Sequence, residues 1–231
     1  MNQIKKNLES VQNRINKAAL GCGRNPGQIK LVAVSKTIDV ERISQAISAG
    51  AIILGENYIQ ESREKISDLS GFSVSWHFIG HLQSNKAKYA VKLFDLIHSV
   101  DSIKLASAID KEAKKIDKIQ EILIQVNIGQ EETKSGIYED EALELVTEIA
   151  KLNNIKITGL MTIPPYYNEP DLVRPFFKNL ADLQKTIIKK NIPNVSMNDL
   201  SMGMTGDFET AIEEGATMVR IGTAIFGKRI Y

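Results

Sequence analysis

Eight short apolar runs, separated by amphipathic helical patterns along the whole chain, constrain this sequence more than any other feature. The runs are Leu31–Val34, Ala51–Leu54, Trp76–Gly80, Leu96–Val100, Ile122–Asn127, Ile155–Met161, Met197–Ser201 and Thr217–Ile221. The first is apolar without alternation, the pattern of a parallel strand buried on both faces. Between the runs, apolar residues recur at helical spacing: Val40, Ile43 and Ile47; Leu105, Ile109, Ala113 and Ile116; Ala142, Val146 and Ile149. Leu172, Phe176, Leu180, Leu183 and Ile187 make a longer helix, and Phe208, Ala211 and Ile212 a short one. Ahead of the first strand, Ile4, Leu8, Val11 and Ile15 predict one more helix over about residues 2–20, closed by the glycine-rich Gly21–Gly27. That glycine cluster follows a helix rather than a strand and lacks the spacing of a dinucleotide fingerprint. Strand and helix alternate with no linker rich in Pro, Gly or Ser. The pattern predicts one domain over residues 1–231, a single α/β (β/α)8 TIM-type barrel with an additional N-terminal helix. A doubly wound open sheet is the alternative use of the same elements.

Composition narrows the function classes. A formal net charge of +1 argues against electrostatic capture of nucleic acid or of an anionic membrane. The basic run Lys111, Lys114, Lys115 and Lys118 is interleaved with Glu112 and Asp117 and has no aromatic stacking platform, which reads as a solvated helix face. One cysteine, Cys22, excludes an internal disulfide and a zinc site built on several thiolates. The polar start Met1–Asn7 has no apolar h-region behind it, and no run approaches the ~20 apolar residues of a membrane span. A cytoplasmic protein is expected.

The chemistry centres on Lys36, just past the carboxyl end of the first strand, where α/β sheets place their ligands. A lysine held there against apolar chain gives up part of its hydration. Desolvation disfavours the ammonium, as an amine must be neutral to attack an aldehyde and form a Schiff base. The plainer reading is a lysine emerging from a strand end into water. In a barrel, the residues after each strand share one rim: Lys36, Glu56, Asn57, His81, Ser99, Asn127, Met161, Thr162, Ser201, Gly222 and Thr223. Gly222-Thr223 after the last strand and Ser201–Asp207 after the seventh bring glycines and hydroxyls to one corner, suited to an anion such as a phosphate. Ordinary glycine turns would read the same way. His77 and His81 stand four apart, but without an HExxH pattern or nearby thiolates no metal site is expected; His77 reads as a packed side chain near Trp76. Gln83, Asn85, Lys86 and Lys88 read as the polar start of a helix.

Several of these stretches together resemble one family. Val34-Ser35-Lys36-Thr37, Gly55-Glu56-Asn57-Tyr58, Trp76–Lys86, Leu200–Met204 with Asp207, and Val219–Gly227 are similar to the motif set of the YggS/PROSC family of pyridoxal 5′-phosphate homeostasis proteins. The resemblance spans nearly the whole chain. Where that family commonly has serine after the second methionine of the seventh loop, this chain has Thr205, which keeps the hydroxyl. The resemblance implies a barrel like the cofactor-binding domain of alanine racemase and eukaryotic ornithine decarboxylase. It implies pyridoxal 5′-phosphate (PLP) held covalently on Lys36. It also places Asn57 and His81 near the cofactor, with Ser201, Arg220, Gly222 and Thr223 towards its phosphate and ring.

In those racemases and decarboxylases a separate β domain and a partner subunit complete the site, whereas this sequence ends at Tyr231, soon after the eighth strand. Turnover of an amino acid needs positioned proton donors and acceptors on the substrate. The expectation is therefore a non-enzymatic role in vitamin B6 homeostasis. The protein would carry or buffer the cofactor for apo-forms of PLP enzymes, as a monomer rather than an obligate oligomer. A minimal PLP-dependent racemase or decarboxylase is the alternative.

Overall fold

The apolar runs do form strands, and the strands close. In the computed structural model, which describes residues 3–131 and 134–228, eight parallel strands form a barrel in sequence order, β1 pairing with both β2 and β8. They are β1 (Lys30–Val34), β2 (Ile53–Glu56), β3 (Ser75–Phe78), β4 (Leu96–Val100), β5 (Gln120–Gln125), β6 (Ile155–Met161), β7 (Val195–Ser201) and β8 (Met218–Ile221). The helices are α1 (Gln3–Gly21), α2 (Val40–Ser48), α3 (Ile59–Asp68), α4 (Ala87–Leu93), α5 (Ile103–Lys114), α6 (Ala142–Ile149), α7 (Arg174–Lys189), α8 (Phe208–Glu213) and α9 (Thr223–Phe226). The start of the first helix at residue 2 and the tail to Tyr231 lie outside the described residues. Among the described residues no helix is long and apolar enough to cross a membrane.

Two apolar layers follow from the period of two along each strand. Val32, Leu96, Leu123, Met161 and Met218 form a cluster inside the barrel, with Ile53 packed on it. The much larger second layer lies between the barrel wall and the helices, and includes Ile43, Phe78, Ile97, Ile122, Phe177 and Phe208. The helical faces expected from spacing supply it: Ile109 on α5, Val146 on α6, Leu180, Leu183 and Ile187 on α7, and Ala211 and Ile212 on α8 are buried. Ile116 and Leu172 depart from that pattern. Both fall outside their helices and are exposed.

The additional helix α1 is amphipathic as its spacing requires, burying Ile4, Leu8, Val11, Ile15 and Ala19. It packs on α8 and α9, which carry two of the loops at the carboxyl ends of the strands. Asn7 Nδ2 donates to the Ile225 carbonyl at 2.9 Å, and Arg14 pairs with Glu209 at 2.6 Å. Truncating the fully buried Ile15 to alanine would open a cavity costing about 2–5 kcal/mol.

Strand boundaries shift where polar residues are buried by partners distant in sequence. β2 runs to Glu56 rather than ending at Leu54, because Gly55 and Glu56 each have a place in the wall. A Cβ on Gly55 would lie 2.8 Å from Val32 Cγ1, so glycine is the residue that fits there. Glu56 turns the other way, towards α3, and is fully buried. β7 extends back to Val195, with Asp199 accepting from Lys30 Nζ at 3.0 Å.

Candidate functional site

At the carboxyl end of the barrel, a cleft of about 310 Å³ opens between the loops after β1, β2, β3, β6, β7 and β8. Lys36 enters it from β1 and Asn57 from β2, while Arg220, Gly222 and Thr223 close it from β8. Lys36, two residues past the end of β1, lines the cleft together with Val34, while the Ser35 carbonyl accepts from Lys65 of α3. Its side chain is half-buried.

The floor of the cleft is a polar chain that crosses the barrel. Arg220 is buried, and its Nη1 donates to the Ser201 carbonyl at 2.7 Å and to Ser201 Oγ at 2.6 Å. Nη2 donates to the Thr162 carbonyl at 2.8 Å. These three bonds fix the guanidinium plane and leave two of its five donors. Burial lowers Arg220 to about 10, with Asp207 opposing, so it remains a cation at neutral pH. Ser201 Oγ accepts from Arg220 and keeps its own proton to give to His98 Nδ1, 2.9 Å away. His98 Nε2 then donates to His77 Nδ1 at 3.0 Å. In this order both ring nitrogens of His98 are paired with both imidazoles neutral. Burial, the leading cause, holds His77 down at about 4 and His98 well below the ordinary value.

The corner after β7 and β8 is rich in hydroxyls. Thr223 Oγ1 donates to Thr205 Oγ1 at 3.1 Å, so Thr205 takes part in the corner. Gly203 has φ +90, and a Cβ there would lie 2.6 Å from that of Ala211, so glycine is required for the loop to fold back on α8. Asp207 Oδ1 accepts from the Met204 N–H at 2.6 Å, and burial raises its carboxyl above the ordinary value. Gly222 has no such conformational need. A Cβ on it would sit 3.4 Å from Val34 Cβ and from the Val34 carbonyl oxygen.

Of the residues expected from sequence, Lys36, Asn57, Arg220, Gly222 and Thr223 meet in this cleft. Ser201 lies beneath it as the support of Arg220. His81 is exposed on the next groove, which also has Asn57 in its wall, and its Nδ1 is 3.2 Å from Ser135 Oγ. Ser99 and Asn127 are buried, and Asn127 Nδ2 holds the following loop through the Glu131 carbonyl at 2.9 Å. Sequence reasoning did not reach His98, nor the apolar wall of Ile163, Tyr166 and Tyr167 from the loop after β6. Tyr167 stacks on Phe176, and Tyr166 is 84% exposed beside the opening. The loop's own sequence, Ile163-Pro164-Pro165-Tyr166-Tyr167, was the available signal.

The donor set suits a phosphorylated aromatic aldehyde. One amine stands on one side, hydroxyls and a glycine on the other, and a fixed cation supports the floor. The buried Asn57 Oδ1 has no hydrogen-bond partner among the described residues, which leaves it an acceptor for a bound molecule.

The family model described as "Alanine racemase, N-terminal domain" matches residues 1–229. A pyridoxal phosphate homeostasis protein of Aquifex aeolicus is 46% identical over 224 residues, 97% of each chain. PipY of Synechococcus elongatus, solved with PLP bound, superposes with a TM-score of 0.85 at 31% identity, covering 97% of this chain and 100% of that one. An alanine racemase of Clostridium difficile shares the fold at 16% identity, with a TM-score of 0.75 over 98% of this chain and 58% of its own.

Proposed function

Since the chain belongs to the alanine racemase N-terminal-domain family, and within it to the pyridoxal phosphate homeostasis proteins, we propose that it binds PLP as a Schiff base on Lys36. It then holds the cofactor for apo-forms of the enzymes that use it. The observation that carries this reading is the meeting of Lys36 with Arg220, Gly222 and Thr223 around one cleft. A relative solved with the cofactor bound supports it.

Each residue has a defined task. Lys36 would hold the cofactor through its aldehyde carbon, as the one lysine among the described residues lining the cleft, with the aldehyde oxygen lost as water. Thr223, Thr205 and the backbone at Gly222 offer hydrogen bonds to the phosphate, which carries close to two negative charges. Arg220, held by Ser201 and Thr162, offers its remaining donors from the floor. When bound, PLP supplies an electron sink, but the homeostasis naming of the relatives favours storage and supply over turnover.

The test pairs two measurements on the cofactor-loaded protein. Mixing with an apo-aminotransferase should restore that enzyme's activity, and α-proton exchange of alanine in deuterated water should stay at the rate of free PLP. Exchange far above that rate would make the protein a minimal racemase or decarboxylase instead.

A further inference from the structure

The face of β1 turned away from the cleft carries a charged cluster buried against α3. Lys65, nearly buried on α3, donates to the Ser35 carbonyl at 2.7 Å, to Glu56 Oε1 at 3.0 Å, and to Glu61. Those three bonds use every N–H of its ammonium. Ser35 Oγ donates to the same Glu56 Oε1 at 2.7 Å, and the Ser35 N–H donates to the Gly55 carbonyl at 3.0 Å. On the other side of Lys36, the Thr37 N–H donates to Glu61 Oε1 at 2.6 Å. Thr37 sits at φ +62, a left-handed conformation that a β-branched residue rarely adopts unless its surroundings impose it. The backbone on both sides of Lys36 is thus tied to one helix.

Ser35, Glu56 and Lys65 occupy a place where apolar side chains would pack at less desolvation cost. Glu56 Oε2 has no partner among the described residues, and burial raises its carboxyl, against the pull of Lys65 and Ser35. Such a cluster makes physical sense as a device that fixes the backbone at a reacting amine. None of Lys65, Glu56 and Glu61 lines the cleft.

We propose that Lys65, Glu56 and Glu61 are positioning residues that hold the Ser35-Lys36-Thr37 backbone in a strained geometry, aiming the Lys36 amine at the aldehyde of the bound cofactor. This rests on the reading of Lys36 given above. The three residues act through the backbone, and none of them lines the cleft. Losing the acceptor for the Thr37 N–H frees that residue to leave the left-handed region, and the amine loses its direction. Covalent capture then weakens, while binding through the phosphate corner persists.

The test uses the full-length protein and two ligands. Pyridoxal phosphate can form the covalent bond; pyridoxine phosphate, which lacks the aldehyde, cannot. Glu61→Ala is the main variant because Glu61 is partly exposed and its loss leaves the Lys65–Glu56 pair in place. Glu61→Gln keeps an acceptor for Thr37. In Glu61→Ala, adduct formation followed by absorbance should slow about tenfold, and the affinity ratio of aldehyde to alcohol should fall by a similar factor. Affinity for pyridoxine phosphate should stay within about twofold, and Glu61→Gln should recover most of the loss. Equal weakening of both ligands, or an unchanged ratio beside a normal wild-type adduct, would overturn the positioning role alone. A wild type that forms no adduct would overturn the Lys36 reading and the positioning role with it.

Discussion

Mild acid should destabilise this protein through the two histidines inside the barrel. Burial holds His77 at about 4 against an ordinary 6.5; Asp95 opposes the lowering, and Lys30 adds to it. His98 is lowered by burial first, then by His77, Arg220 and Lys30. Both are therefore neutral when folded and protonated when unfolded in weak acid. With the folded value depressed, the unfolded chain binds more protons below pH 6.5, so stability falls as pH drops from 6.5 towards about 4. For His77 alone, the loss between pH 7 and pH 5 works out at ~2 kcal/mol, and His98 acts in the same direction. The perturbation that isolates it is His77→Asn, whose amide oxygen takes the place of Nδ1 as acceptor for His98 and does not titrate. Denaturant unfolding at both pH values gives the loss for each protein. The wild type should lose ~2 kcal/mol more than the variant. Taking the difference cancels Glu56 and Asp207, whose raised carboxyls act in the opposite direction. Equal losses in the two proteins would refute the neutral, buried histidine chain.

Other expectations follow from the same site. Ser201→Ala removes one hydrogen bond from Arg220 and leaves His98 Nδ1 a buried acceptor without a donor, costing about 2–4 kcal/mol together. Thermal unfolding without cofactor should fall by roughly 5–15 °C, and an unchanged midpoint would contradict the chain. Gly222→Val should weaken PLP binding more than Thr223→Ala, because its branched side chain presses on Val34 and the cleft. Thr223→Ala gives up one bond to a charged group, about 1.5–3 kcal/mol. Wild type should prefer the phosphate ester over free pyridoxal strongly and Gly222→Val weakly in paired titrations; equal affinity of wild type for both would place the phosphate elsewhere.

Much of the barrel was legible because its strands and helices carry their periods openly. β4 and β6 match their apolar runs from end to end, and the buried face of α1 is the one its spacing gives. Legibility failed where burial depends on partners far along the chain. Glu56 looks like the start of a helix until Lys65 and Ser35 are brought to it, which is why β2 reads two residues too early. β7 reads poorly because Asp199 points to Lys30, 169 positions away. The cleft was half legible in the same sense. Strand ends placed Lys36, Gly222 and Thr223 on one rim, and the family resemblance added Arg220. The support beneath Arg220 was not visible, since His77 and His98 lie on neighbouring strands and meet Ser201 across the barrel. His81 lies in the groove that shares Asn57 with the cleft, its ring nitrogen 3.2 Å from Ser135 Oγ.

The most direct test of the central claim is borohydride reduction of the protein incubated with PLP, followed by mass mapping of its peptides. Lys65, buried near the rim, has all three ammonium hydrogens engaged on the far side of β1, so it should stay unmodified. One reduced pyridoxyl phosphate is expected per chain, on the peptide containing Lys36, and none at that position in Lys36→Ala. A stoichiometric adduct on any other lysine, or no adduct on wild type, would contradict the assignment of Lys36 as the cofactor-bearing amine.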